Sequence, residues 1–167
     1  VGGNAERFCL FTARPEADAL GRDYAGRVAW LPNVRRLPEH AQQHAKLDGK
    51  HVFVPGPYVT RKNCYAALLA VKKAGAEAHV TARAEAQAPS LLMLAKSLGV
   101  KVHVHGCDTS DDVFMVAGSC HAAIMASLAE TFCHAAAECV IAGTPVVGWA
   151  GIPALDHAPV DLLAADP

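Results

Sequence analysis

Two glutamates set eight residues apart, Glu130 and Glu138, flank the stretch Thr131-Phe132-Cys133-His134-Ala135-Ala136-Ala137. Glu130 stands just before a predicted helix and Glu138 two turns inside it; a rise of about 1.5 Å per residue over eight residues separates them by roughly 12 Å, on nearly the same side of the axis. A loop that feeds a helix straight after a parallel strand turns backbone N–H groups and the positive end of the helix dipole towards its ligand, which suits phosphate. Carboxylates are poor partners for phosphate and good acceptors for hydroxyls. The spacing therefore fits a ligand with a charged diphosphate middle and hydroxyl-bearing rings at its ends. Glu138 is set among Ala135, Ala136, Ala137, Cys139, Val140 and Ile141, and a charge in such a run needs a partner or a ligand.

Lys62, preceded by Arg61, opens a second helical stretch. A cation at a helix start opposes the dipole, which favours a ligand role over a solvated one. His134 lies beside the same tip and is a further phosphate-contact candidate. His103 and His105 alternate along an apolar run and so share one strand face, compatible with a metal pair. The sequence shows neither a carboxylate nor a third ligand beside them, so packed or surface histidines are the favoured reading and no metal is assigned. The six cysteines, Cys9, Cys64, Cys107, Cys120, Cys133 and Cys139, form no C-x-x-C pair. They read as free thiols buried in a reducing compartment rather than as a zinc or redox motif.

These residues need elements to position them. From residue 50 onward, short β-rich runs at His51–Val54, Ala78–Thr81, Val100–His105, Ala122–Met125 and Pro145–Gly148 alternate with helical patterns at Lys62–Ala74, Ser90–Leu98, Thr109–Ala117 and Phe132–Ala142. Thr109-Ser110-Asp111-Asp112 is a capping run, and Gly143 is a stop signal. Strand, helix, strand, repeated, predicts an α/β fold: a doubly wound, Rossmann-like parallel sheet with helices on both faces. Ligands of such sheets bind at the carboxyl ends of the strands, here the loops Pro55–Lys62, Arg83–Ala88, Gly106–Asp112, Ser127–Cys133 and Gly148–Ile152. Residues 1–50 are less regular, with strands at Phe8–Thr12 and Val28–Leu31 and optional short helices at Glu16–Tyr24 and Glu39–Ala45.

The 167 residues match one ordinary domain with a sizeable core. A net charge of −1, from 15 basic and 16 acidic residues, gives no excess to drive nucleic-acid or anionic-membrane binding. No run of about 18 apolar residues predicts a membrane span. The chain opens on Val1 and stops at Ala164-Ala165-Asp166-Pro167, as a piece of a longer protein would.

Ser127-Leu128-Ala129-Glu130-Thr131-Phe132 through Glu138, followed by Ala142-Gly143-Thr144-Pro145-Val146-Val147, resembles the signature of group 1 retaining glycosyltransferases of the GT-B type. Its pattern is S-x-x-E-x-F-G-x-x-x-x-E-A-x-A-x-G-x-P-V-V. Val54-Pro55-Gly56-Pro57 with Arg61-Lys62-Asn63 resembles that family's V-G-R-x-x-x-x-K-G/N loop, and Trp30-Leu31-Pro32-Asn33-Val34 its I-P-N-G-V stretch. The resemblance spans about Val28 to Ile152. It departs at Pro57, where the family has Arg, and at Cys133, where it has Gly.

The resemblance implies the nucleotide-sugar-binding half of a GT-B enzyme, with residues 1–34 closing a preceding domain or linker and 35–167 forming the donor domain. It implies retaining hexosyl transfer from a nucleotide diphosphate sugar to an acceptor hydroxyl on a glycan, lipid or protein. Lys62 and Glu130 would be catalytic. Arg61, Lys62, Glu130, Thr131, Phe132, Cys133, Glu138 and Gly106 would bind donor, with Lys62 on the diphosphate, Glu130 on the sugar hydroxyls and Glu138 on ribose. Gly106-Cys107-Asp108 and Trp149–Ile152 would border the base and the donor. No cofactor and no metal are implied, because protein cations supply the charge. The acceptor site would lie in an N-terminal domain of the same protein, in a cytoplasmic or membrane-peripheral setting, so this chain alone would bind nucleotide weakly and transfer little. Two other readings stand beside this one: a degenerate domain that only binds nucleotide or a protein partner, supported by Pro57 and Cys133, and a nucleotide-sugar epimerase of related fold, for which no acid/base carboxylates are identified.

Overall fold

The computed structural model describes residues 8–11, 27–30, 44–81, 89–107, 109–130, 133–149 and 163–164. The chain divides into two compact units, Val1–Arg36 and Leu37–Pro167. In the first, β1 (Phe8–Phe11) pairs in parallel with β2 (Arg27–Trp30), Phe8 opposite Arg27. The expected helix at 16–24 lies outside the described residues, as does most of the one at 39–45.

The second unit is built on a six-stranded sheet. Along the chain come β3 (His51–Phe53), α1 (Cys64–Ala74), β4 (Glu77–Thr81), α2 (Pro89–Leu98), β5 (Val102–His105), α3 (Ser110–Ser119), β6 (Ala122–Met125), α4 (His134–Ile141), β7 (Val146–Trp149) and β8 (Leu163–Ala164). The spatial order is β5-β4-β3-β6-β7-β8, and every pairing is parallel. This is the 3-2-1-4-5-6 order of a doubly wound Rossmann sheet. The chain winds outward from β3 to β5, then returns to lay β6 on the other side of β3. The crevice where the winding reverses lies between β3 and β6. The short pairing of β8 with β7 extends the sheet beyond the strands that periodicity marks.

Alternation along β3 explains the two cores. Val52 and Val54 face one way, joining Leu68 and Val71 of α1 and Leu91 and Ala95 of α2. Phe53 faces the other way, joining Ala117 of α3, Ala136 and Cys139 of α4, and Val146 of β7. Successive residues of a strand point to opposite faces, so a run buried throughout belongs at the centre of a sheet covered on both sides. His51, Val52 and Phe53 are all buried. Lys46 adds a polar clamp under this core, its Nζ donating to the carbonyls of Gly118 and Cys120 at 2.9 and 2.6 Å and to Thr144 Oγ1 at 3.3 Å. A cation is well placed against carbonyls at the end of a helix.

The helix ends follow local rules. Thr109 caps α3 with a full capping box: its hydroxyl accepts from the Asp112 N–H at 3.3 Å, and the Asp112 carboxylate accepts from the Thr109 N–H at 2.8 Å. Thr109→Ala removes one half of this exchange and is expected to cost about 1 kcal/mol, read as a shift of the urea midpoint at unchanged slope. Helix α1 starts at Cys64 rather than at Lys62. Thr60–Lys62 form a 3-10 turn, and Asn63, at φ 47°, interrupts the helical path. Helix α4 starts at His134 rather than Phe132, because Cys133 takes a left-handed conformation at φ 73°. Among the described residues, no helix is long and apolar enough to cross a membrane.

Candidate functional site

The loops that leave β3 and β6 meet at the switch point. The Leu128 N–H donates to the Arg61 carbonyl at 2.8 Å and ties one loop to the other. Beside that bond, Lys62 Nζ donates to Glu130 Oε1, and Arg61 Nη1 stands 3.6 Å from Glu130 Oε2. The Glu130 side chain is 5% exposed and that of Lys62 11%, whereas Arg61 is 57% exposed. Two cations thus converge on one sheltered carboxylate, and one of them reaches into solvent. Burial raises the Glu130 carboxyl, but hydrogen bonds from Lys62 and Ser127 and the charges of Lys62 and Arg61 outweigh it, leaving the group below its ordinary value and ionised.

A small cleft opens here, lined by Val54, Gly56, Lys62, Met125, Ser127 and Ala135 among others. Gly56 lets the loop pass close to Tyr58: a Cβ there would stand 3.1 Å from the Tyr58 ring. Tyr58 is itself locked below the loop, its hydroxyl donating to the Val54 carbonyl at 3.1 Å and accepting from the Thr81 N–H at 2.6 Å. The backbone is therefore held rigidly just where Arg61 and Lys62 leave it.

At the head of α4, Cys133 provides no side-chain cap. An L residue at φ 73° carries backbone strain that glycine avoids. The thiol lies against the Glu130 carboxylate, to which it hydrogen-bonds. Cys133 is buried, with Sγ 3.9 Å from Met125 Sδ in the core beneath the loop. Glu138 is 6% exposed, within α4. Glu130 stands in the loop before the helix, so the helical arithmetic relating the two glutamates does not apply between residues 130 and 133.

The structure therefore brings Arg61, Lys62 and Glu130 together and sets Cys133 directly beneath them. Gly106 follows β5, two strands from the switch point and about 10 Å across the sheet. His134 is the exposed first residue of α4. Thr131, Phe132, Asp108, residues 83–88 and residues 150–152 lie outside the described residues. Ser127, which reading for chemistry alone passed over, is buried and holds Glu130 by a hydrogen bond. The sequence signal for it was its place three residues before Glu130. The histidines differ from expectation: His51, His79 and Glu77 stand beside His103, supplying the further imidazoles and the carboxylate that sequence adjacency did not show.

No protein-family model and no curated protein matches the sequence. Solved structures do. Sucrose-phosphate synthase from Thermosynechococcus elongatus matches 90% of this chain and 42% of its own, at TM-score 0.67 and 15% identity. HepE from Anabaena, in complex with UDP and glucose, matches 90% of this chain and 46% of its own, at TM-score 0.68 and 14% identity. AviGT4, a glycosyltransferase involved in avilamycin A biosynthesis, matches 95% of this chain and 50% of its own, at TM-score 0.64 and 19% identity. The chain thus spans half or less of the length of these three structures. With its sheet order, its switch-point crevice and these likenesses, the chain has the fold of one Rossmann-like half of a GT-B glycosyltransferase.

Proposed function

We propose that this chain is the donor-binding half of a group 1 glycosyltransferase, holding a nucleoside diphosphate sugar for retaining hexosyl transfer to an acceptor hydroxyl. The observation that carries the proposal is the convergence of Lys62 and Arg61 on Glu130 at the switch point. That crevice is where doubly wound sheets bind their ligands.

Without donor, Lys62 and Glu130 satisfy each other. When a diphosphate enters, its oxygens attract Lys62 and the exposed Arg61, and Glu130 turns its lone pairs to a sugar hydroxyl. As the bond from the anomeric carbon to the diphosphate oxygen breaks, negative charge grows on the leaving group. Lys62, Arg61 and the amino end of α4 face that charge and stabilise it more in the transition state than in the ground state. Glu138 accepts from ribose. Pro57 removes the cation expected directly after Gly56, and this observation favours the second reading, a domain that binds nucleotide without transfer. Arg61, four residues on and already beside Glu130, supplies a guanidinium in its place. The crystallised complex of HepE with UDP and glucose supports the choice of ligand.

Calorimetry of the 167-residue chain with UDP, UDP-glucose and adenosine as control tests the assignment. The expected result is weak binding of both diphosphates and none of adenosine. Glu138→Gln is expected to weaken UDP by about tenfold, as loss of a charge-assisted hydrogen bond implies. Absence of binding by UDP, GDP, ADP and their sugars would remove the donor-site reading. Binding without hexosyl transfer, in a protein that also carries the acceptor half, would leave the second reading.

A further inference from the structure

The opposite end of the sheet carries a second cluster of chemistry, unrelated to the donor crevice. Period-two alternation places His51 of β3, Glu77 and His79 of β4, and His103 and His105 of β5 on one sheet face. The parallel register then puts His51 opposite Glu77 and His79 opposite His103. The cluster occupies the amino-terminal half of the sheet, whereas Lys62 and Glu130 follow the carboxyl ends of β3 and β6.

From this juxtaposition we propose that His51, His79 and His103, with Glu77 as the fourth ligand, form a binding site for one divalent transition-metal ion of the zinc class. One ligand atom from each of the three imidazoles lies within 4.8 Å of the other two. His51 Nδ1 and His79 Nε2 are 2.9 Å apart, Glu77 Oε2 is 2.5 Å from His103 Nε2, and the same oxygen is 3.9 Å from His51 Nδ1. Four-coordinate zinc bonds imidazole nitrogen at about 2.0–2.1 Å, which separates its ligands by about 3.3 Å. These three spacings bracket that value, and Glu77, which stands outside the group of three imidazoles, completes the tetrahedron by turning towards it.

The outer partners are in place as well. His51 Nε2 lies 2.7 Å from the Asp48 carbonyl, and a carbonyl only accepts, so Nε2 carries the proton and Nδ1 keeps its lone pair for the site. His79 Nδ1 is 2.8 Å from His105 Nε2. Without metal, His105 Nε2–H donates to His79 Nδ1, and His79 Nε2–H donates to His51 Nδ1. An ion takes the place of the proton between His51 and His79. The His79 proton then resides on Nδ1 and is donated to His105 Nε2, whose own proton shifts to Nδ1. His103 likewise coordinates through Nε2 with its proton on Nδ1. Such second-sphere bonds orient ligating imidazoles and set their tautomers.

His51 and His79 are buried, while the His103 side chain is 33% exposed and gives an ion a way in. Lys101, 66% exposed and 3.0 Å from Glu77 Oε2, competes for that carboxylate and is free to swing outward. His121 stacks on His51 at a ring distance of 6.2 Å and borders the site. Because the ligands come from three adjacent strands, the ion's role is to tie β3, β4 and β5 together.

The untagged chain, stripped with a chelator and kept reduced, tests this by titration with Co2+ and Zn2+. The expected result is one equivalent bound, with the visible bands of four-coordinate cobalt and no thiolate charge-transfer band, and a rise in Tm with zinc. His103→Gln changes the most accessible ligand. It should fold as the parent does without metal, yet bind cobalt at least about tenfold more weakly. If its metal-free Tm falls, Glu77→Gln is read by the same criterion. No stoichiometric binding, a thiolate band, or undiminished affinity in both variants would overturn the proposal.

Discussion

Lys62→Ala, in a protein that also carries the acceptor-binding half, is expected to lower kcat for sugar transfer by about 10²–10³-fold, the loss typical when one preorganised charge donor is withdrawn from a transition state. Two properties of Lys62 set this scale. Its side chain is nine-tenths sheltered, so its charge acts through little water, and its Nζ is already held at the crevice by Glu130. KM for the donor should move less, because the charge on the leaving diphosphate peaks in the transition state.

The substitution also strands the Glu130 carboxylate, whose remaining charged partner is Arg61 at 3.6 Å. Removing one member of a buried pair destabilises by leaving the other unpaired, so loss of activity must be separated from loss of fold. Adding Glu130→Gln to Lys62→Ala removes the stranded charge. The double variant should recover most of the lost Tm while transfer stays low. A Lys62→Ala protein that folds and retains kcat within about threefold of the parent would remove Lys62 from the mechanism.

The second large effect is alkaline unfolding. Burial pushes the Cys120 thiol up from 9.0 to about 12. Burial, with the Glu130 charge adding to it, pushes Cys133 up from 9.0 to about 11. Cys139 and Cys64 are raised for the same first reason, and burial takes Tyr58 up to about 12. A raised thiol keeps its proton in the fold while the unfolded chain releases it. Its contribution is therefore intact below pH 9.0 and is lost as pH climbs towards the folded value. At about pH 10.5, Cys120 and Cys133 each cost about 2 kcal/mol, from 1.5 units at about 1.4 kcal/mol per unit. Cys139 adds to the loss. Together these withdraw much of the 5–15 kcal/mol that holds a typical domain. Denaturation in urea under reductant at pH 8 and at about pH 10.5 should show a large fall in the midpoint. With Cys9 and Cys107 replaced by Ala, native thiolate absorbance should stay flat until the chain unfolds. A midpoint that does not move, or thiols that titrate near pH 9 in the folded protein, would refute this account.

Arg61, Lys62, Glu130 and Cys133 were legible because each lies on a loop that local signals expose, after a β-rich run and at the head of a helical pattern. What each does was less legible. In one dimension Cys133 reads only as a departure from the Gly of the resembled signature. In the fold its left-handed backbone turns the thiol inward onto Met125. Glu130 reads as standing just before the helix that carries Glu138, and α4 does begin after it, at His134.

By itself, then, the sequence determined the alternation of strand and helix, the faces of each strand and the loops that bear charge, because periodicity and capping act between residues a few positions apart. Tertiary structure alone decided which strands are neighbours. That choice places Lys62 on Glu130 across 68 residues and gathers His51, His79 and His103 from three strands. The physical reason is that parallel strands pair only after long crossovers. Alternation says which face a histidine takes, but nothing in one strand's own residues says which strand will lie beside it.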